Sequence, residues 1–359
     1  MTRTQSLSFF AFFLTLVRLL LTGCTSVLLI GCTSVLLTGC TTVDSTDSGT
    51  YSNPEVVYHE VIGWPQLAPG FQLGNPTGIG IDTSNHIFVF HRADRQWPLT
   101  GPMPDSRISS PTILELNPVD GKIINSWGQG LFIMPHGLTI DKENNIWVTD
   151  IGLHQVIKFN HNGKLLLKIG EAGVPGNDKT HFNKPTDVAI AKNGCLYVTD
   201  GYGNNRVVKF SPEGLYMFEW GTGGKKTGEF DIPHAIDLDE SGNVYIADRE
   251  NSRIQVFDAA GKYINQWKNK NGKITAVSVL KNKKGFVATD DNNSWFGLRH
   301  NGSNILLFDS SGIFTKFVNR NLTKSKNKSW FHDVAVDEEN NIYVGDISNN
   351  RLRKFEIKN

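Results

Sequence analysis

Cysteine is scarce in this chain, and it is placed where it cannot staple a fold. Of four cysteines in 359 residues, Cys24, Cys32 and Cys40 fall within the first forty positions, leaving Cys195 alone in the remainder. No disulfide can therefore form inside the folded part, and its stability must come from packing. An excess of charge of either sign is also missing, with 36 Lys plus Arg against 35 Asp plus Glu. That balance offers no electrostatic ground for a nucleic acid or an acidic polymer as partner, so no nucleic acid is expected and the ligand should be small. A clean membrane span is lacking too. The apolar run from Leu7 to Val17 is followed by Arg18 and then by interspersed Gly, Ser, Thr and Cys, which argues against an uncleaved transmembrane anchor. What is present, 39% hydrophobic and 20% charged residues, suffices for a sizeable core in one large domain.

The first forty residues differ from all that follow. Three near-copies of a short unit end in Leu21-Thr22-Gly23-Cys24, Leu29-Ile30-Gly31-Cys32 and Leu37-Thr38-Gly39-Cys40. An apolar stretch followed by Leu-x-Gly-Cys resembles the lipobox of bacterial lipoproteins, whose cysteine becomes the lipidated first residue. Residues 1–40 are thus expected to be a lipoprotein-type signal and anchor, and residues 41–53, rich in Ser, Thr and Asp, a flexible tether. The expected location is exported and lipid-anchored to a membrane, on the periplasmic or cell-surface side. Residues 54–359 are left as the folded domain, expected to be a monomer.

Internal repetition decides the fold. Pro76-Thr-Gly-Ile-Gly-Ile-Asp82, Pro135-His-Gly-Leu-Thr-Ile-Asp141, Pro185-Thr-Asp-Val-Ala-Ile190, Pro233-His-Ala-Ile-Asp-Leu-Asp239, Ile274-Thr-Ala-Val-Ser-Val279 and Phe331-His-Asp-Val-Ala-Val-Asp337 are one strand written six times. Most copies lead through a polar turn to a second strand such as Asn144-Asn-Ile-Trp-Val-Thr-Asp150, then a third such as Arg253-Ile-Gln-Val-Phe257, then a Gly turn and a fourth. Alternating runs separated by turn residues are hairpin signals, and four strands recurring every 40 to 60 residues make a propeller blade. The sixth copy ends without a fourth strand, and Val57 to Trp64, ahead of the first copy, looks like the missing one. The sequence therefore predicts an all-β, six-bladed propeller of NHL-repeat type, closed by pairing its N- and C-terminal strands.

The innermost strand of each blade lines the central channel, so equivalent positions form a ring. The second position of the six copies reads Thr77, His136, Thr186, His234, Thr275, His332. The histidines recur at intervals of 98 residues, 234 − 136 and 332 − 234, which places them on alternate blades about 120° apart. One Pro-His could serve only to start a strand; three at alternate blades converge on a point. Three imidazoles with a fourth position open form a catalytic zinc arrangement, although histidine nitrogen also suits copper, iron and nickel.

Strands within a blade are antiparallel, so loops leaving the second strand overhang the same mouth. In most copies that loop opens with Asp and runs five residues to Arg or Gln. Blade three instead reads Asp200-Gly-Tyr-Gly-Asn-Asn-Arg206, one residue longer, with Tyr202 between two glycines expected to permit unusual backbone angles. Blade one lacks the Asp and reads Phe90-His-Arg92-Ala-Asp94, followed by a Pro- and Gly-rich insertion to about Pro111. Departures from a repeat are where function is grafted onto it.

Val89-Phe-His-Arg92, Pro135-His-Gly-Leu138, Trp147-Val-Thr-Asp150 with Leu153-His-Gln155, Pro185-Thr-Asp-Val-Ala189, Asp200-Gly-Tyr202 and Ala247-Asp-Arg-Glu-Asn251 together resemble the peptidyl-α-hydroxyglycine α-amidating lyases, over about residues 56 to 357. The resemblance implies that His136, His234 and His332 bind zinc, that Tyr202 is the base and that Arg92 is the catalytic cation. It further implies a structural calcium held by the carbonyls of Ile79 and Leu138 and the carboxylate of Asp333, oxygen ligands of the kind calcium takes. The implied reaction splits the C–N bond of a peptidyl- or acyl-α-hydroxyglycine into an amide and glyoxylate. Two departures from the family's animal members are Trp330-Phe331 before the third histidine, where they have Met-Pro, and Gly203, where they have a cysteine. Two other functions compete on sequence grounds: a non-catalytic surface propeller that binds a protein or glycan, and a lyase or hydrolase for another small carbinolamide such as a ureido compound.

Overall fold

A computed structural model describes residues 57–98, 102–270, 272–291, 302–319 and 329–358. The segments expected to be signal and tether, 1–40 and 41–53, lie outside the described residues. Residues 54–359 form one compact unit that holds all the described strands. Every regular element among them is a strand, and the strands fall into six four-stranded antiparallel sheets.

Each sheet is one blade, and the six repeat segments supply the six inner strands: Pro76–Ile81, Pro135–Ile140, Asp187–Ile190, Pro233–Leu238, Lys273–Val279 and Phe331–Val336. The inner and second strands are mostly buried on both faces, while the outermost strands are mostly exposed or half-buried. This gradient follows from position, because inner strands are covered by neighbouring blades and outer ones meet water. The core lies between blades, where Val, Ile and Phe side chains of adjacent sheets interlock, as Phe88, Phe90 and Ile113 of blade one do with Ile146, Val148 and Ile157 of blade two.

Ring closure follows the sequence expectation. Val57–Glu60 pairs antiparallel with the last strand, Tyr58 opposite Ile357 and Glu60 opposite Phe355, completing blade six from both ends of the unit. The strand is shorter than the predicted run to Trp64. Gly63, at φ +86°, turns the chain inward, and Trp64 is buried with its ring 5.3 Å from that of Tyr343.

Candidate functional site

In blades one, four, five and six the pairing of inner and second strands skips one residue, and that residue is the second position of the repeat: Thr77, His234, Thr275 or His332. Blade two skips both His136 and Gly137. A bulge leaves its residue out of the ladder and re-aims the side chain, so the irregularity delivers these side chains to the axis.

The three histidines meet there, buried, with ring centroids 4.8, 4.6 and 4.8 Å apart. Their orientation is set by the threonines between them. His136 Nδ1 donates to the Thr186 carbonyl at 2.6 Å, His234 Nδ1 to Thr275 at 2.6 Å and His332 Nδ1 to Thr77 at 2.9 Å. A carbonyl can only accept, so each ring carries its proton on Nδ1 and presents the Nε2 lone pair inward. Thr186 and Thr275 also donate their hydroxyls to the carbonyls of Pro233 and Phe331, the residues just before the next histidines. Threonine at alternate positions is thus the support on which each histidine leans.

Burial keeps these rings neutral. His136 lies well below the ordinary imidazole range through burial and then the neighbouring His332 and His234, and His234 does so through burial and then Arg249. His332 is lowered to about 3 by burial and then Arg92. One ligand atom from each of the three lies within 4.8 Å of the others. Neutral, outward-tethered imidazoles converging on one point are a donor set that can hold a transition metal ion.

Tyr202 closes the mouth above them. Its hydroxyl is 3.2 Å from His136 Nε2 and 3.1 Å from His234 Nε2, and it accepts from Arg249 Nη1 at 3.2 Å. The flanking glycines do not adopt the unusual backbone angles the sequence suggested, since neither has a positive φ. They are required by space: a Cβ on Gly201 would come 2.1 Å from the Pro233 carbonyl oxygen, and one on Gly203 would come 2.1 Å from the Asn183 side chain.

Five loops place one residue in the same register, its N–H bonded to the carbonyl of the residue before the repeat segment. Those residues are Arg92, Ile151, Tyr202, Arg249 and Ile347. The longer loop of blade three therefore restores the register for Tyr202, and the two arginines, three blades apart, face each other across the mouth. Arg92 is buried and its Nε donates to the Pro135 carbonyl at 3.1 Å; burial lowers it to about 10 against the pull of Tyr202 and Asp150. Arg249 is half-buried, and Tyr202 and Glu250 more than offset that burial and raise it. Trp97, from the blade one insertion, lies 5.3 Å from both the Arg92 guanidinium and the Tyr202 ring.

Arg249 and Trp97 were missed as site residues in the sequence. The available signal was the charge at Arg249, one residue after Asp248 as Arg92 is one after His91. His91 itself takes the place of the loop aspartate: its Nδ1 accepts from the N–H groups of Gly74 and Ala93 at 3.2 and 3.1 Å, much as Asp150 accepts from Ile133, Met134, Gly152 and Leu153.

Beyond the histidines, along the same strands, lies a half-buried acidic layer. Asp333 Oδ2 accepts from the Ile79 N–H at 2.7 Å, beside buried Leu138. Burial, then the Asp237 charge, pushes Asp333 up to about 7, and Asp187 rises well above the carboxylate range through burial and then Asp333. Asp187 and Asp237 were not picked out in the sequence: Asp187 shares the third position of its repeat with Asp333, but Asp237 stands at the fifth.

A propeller whose repeats carry this site defines the class: an NHL-repeat six-bladed propeller with a three-histidine axis. The NHL repeat family matches residues 182–210 and 230–257. Among proteins of known name, a Caenorhabditis elegans protein named a probable peptidyl-α-hydroxyglycine α-amidating lyase is 41% identical over 53% of this chain and 57% of its own length. The Drosophila melanogaster peptidyl-α-hydroxyglycine α-amidating lyase 1 is 34% identical over 81% of this chain and 58% of its own. The Xenopus laevis peptidyl-glycine α-amidating monooxygenase B is 34% identical over 84% of this chain, which spans 36% of that protein's length. The chain belongs to the peptidyl-α-hydroxyglycine α-amidating lyase family. In three dimensions it is similar to virginiamycin B lyase from Staphylococcus aureus, with a TM-score of 0.55 and 14% identity over 85% of this chain and 100% of that one, a likeness of fold.

Proposed function

We propose that the chain is a zinc-dependent carbon–nitrogen lyase that converts a peptidyl- or acyl-α-hydroxyglycine into an amide and glyoxylate. The observation that carries this reading is the phenol of Tyr202 standing 3.1 to 3.2 Å from two of three converging histidine Nε2 atoms, with Arg249 on its other side. His136, His234 and His332 would hold the ion, which as a Lewis acid would make the substrate hydroxyl easier to deprotonate.

The protein's own groups do the rest. Arg92 and Arg249 face the mouth as cations. One pairs with the substrate carboxylate through parallel hydrogen bonds, and both set positive charge near the Tyr202 ring and hydroxyl. Tyr202 takes the hydroxyl proton, the C–O bond becomes a carbonyl, the C–N bond breaks, and the amide nitrogen recovers a proton from the phenol. No water is consumed. Support for a structural calcium comes from the half-buried layer of Asp333, Asp187 and Asp237 beside Ile79 and Leu138, whose raised carboxylates would be relieved by a hard cation. The reading also includes lipid attachment at Cys24, Cys32 or Cys40 and function as a monomer.

The test is glyoxylate release from an N-acyl-α-hydroxyglycine, with and without chelator. Tyr202→Phe should lose at least 100-fold in turnover, roughly the contribution of one general base, while keeping its metal. His234→Ala should lose both. Full glyoxylate release by the phenylalanine variant would remove Tyr202 from the mechanism, and release unaffected by complete metal removal would remove the zinc.

A further inference from the structure

The turn after the inner strand is built alike in blades two, four and six. An aspartate, Asp141, Asp239 or Asp337, accepts two backbone N–H groups with one oxygen. Its other oxygen takes the amide of an asparagine four residues on and a ring N–H or hydroxyl two residues further, as from Asn145 and Trp147 or Asn341 and Tyr343. Opposite that ring, the third strand carries a lysine in blades two, three and six: Lys158, Lys209 and Lys354.

Blade one keeps the aspartate and replaces every partner. Asp82 accepts from the N–H groups of Ser84 and His86 at 2.8 Å. The asparagine, however, is His86, the donor ring is Phe88, which has no donor, and the lysine opposite it is Glu115. Two carboxylates with side chains 2% and 5% exposed are left without amide, indole, phenol or ammonium. Facing them are His86 and, from the turn of blade two, His161, whose ring stands edge-on to Phe88 at 5.3 Å.

His86 Nδ1 is 3.4 Å from Asp82 Oδ2 and 3.0 Å from Glu115 Oε1; His161 Nε2 is 3.3 and 3.7 Å from the same two atoms. Charge-assisted hydrogen bonds are shorter, about 2.7–2.9 Å; His161 Nε2 makes one long hydrogen bond, to Asp82 Oδ2 at 3.3 Å, and buried His86 Nδ1 has no partner of hydrogen-bonding geometry. A tetrahedral ion with bonds of about 2.0–2.1 Å spaces its ligands about 3.3 Å apart, and all four donor atoms here lie within 4.8 Å of one another.

We infer that Asp82, His86, Glu115 and His161 form a second metal site, closed and four-coordinate, for a divalent transition ion of the zinc type. Two imidazoles with two carboxylates suit zinc better than calcium or magnesium, which take oxygen alone. With all four positions filled by protein, the ion is structural, tying blade one to blade two through His161. Asp82 follows the last residue of its inner strand whereas Thr77 stands near the first, so this site and the histidine ring occupy opposite ends of the strand.

The experiment is elemental analysis of protein purified without chelator or a metal-affinity column, together with cobalt titration of the stripped protein followed by visible absorption. Wild type should hold two transition ions per chain and saturate at two equivalents of cobalt. Glu115→Lys installs the residue that three other blades carry, so it should fold, hold one ion and saturate at one equivalent; His161→Ala should do the same. His234→Ala should lose only the other ion, so failure of the axial reading and failure of this one give different counts. Equal ion content in wild type, Glu115→Lys and His161→Ala would overturn the site, as would a wild type that saturates at one equivalent and loses that one in His234→Ala; His161→Ala keeps the test open should Glu115→Lys fail to fold.

Discussion

At His91 a different side chain performs an aspartate's task. Its Nδ1 lone pair accepts two backbone N–H groups, which is possible only while the ring is neutral, and burial lowers it to about 4. Because the folded value lies below the unfolded one of about 6.5, the stability it contributes is fully present above pH 6.5 and is lost as pH falls toward about 4. His91→Ala leaves two N–H groups without an acceptor and should cost about 1–3 kcal/mol. In denaturant titrations its deficit relative to wild type should shrink between pH 6.5 and 4; a deficit that does not change with pH would mean the ring is not acting as a neutral acceptor. Single residues were legible in the sequence where they broke a repeat visibly, as Tyr202 and Arg92 did. Arg249 was not, because one more polar residue in a polar loop reveals nothing until the backbone register is known. The Asp82 cluster was hidden for another reason: its members stand at 82, 86, 115 and 161, and only packing of two blades brings them together.

Among the elements, the loops after the second strands matter most to the site, and their aspartates hold them. Asp248 is fully buried, pairs with Arg253 at 2.6 Å and also accepts from Asp231 N–H, Asn251 and Gln255. Removing one partner of such a buried pair strands the other, so Asp248→Ala should cost about 3–5 kcal/mol. Because Arg249 is the next residue, the variant should also lower glyoxylate release. In blade six the corresponding Arg351 is half exposed and 3.4 Å from Asp346, and Arg351→Ala should change stability by less than about 1 kcal/mol. Comparable losses for the two variants, measured by urea unfolding, would contradict this reading. The strands themselves were readable from their alternation and six-fold recurrence. The bulges were not, since a skipped pairing leaves no mark on the hydrophobic pattern.

The whole molecule was the most legible level, because six copies of one strand admit few arrangements other than a ring. Closing that ring depends on four residues, Val57–Glu60, and on the pair between Glu60 and Arg353. Deleting the chain through Glu60 uncovers the edge of the last strand. The deletion should lower the melting temperature by several degrees, as loss of one or two kcal/mol does in a domain of this size, and promote association through the bared edge. Unchanged melting and a single monomeric peak in sedimentation would show that closure contributes little.

His332 belongs to blade six but leans on Thr77 of blade one, so the axial centre straddles the seam where first and last blades meet. An ion held there would act as a keystone: three wedges from alternate sectors would press on it, and the joint between the chain's two ends could not gape without letting it go. Stripping the ion should therefore loosen the arch first at that joint, with amide exchange quickening in Val57–Glu60 and Arg351–Lys358 before it does in blades three and four.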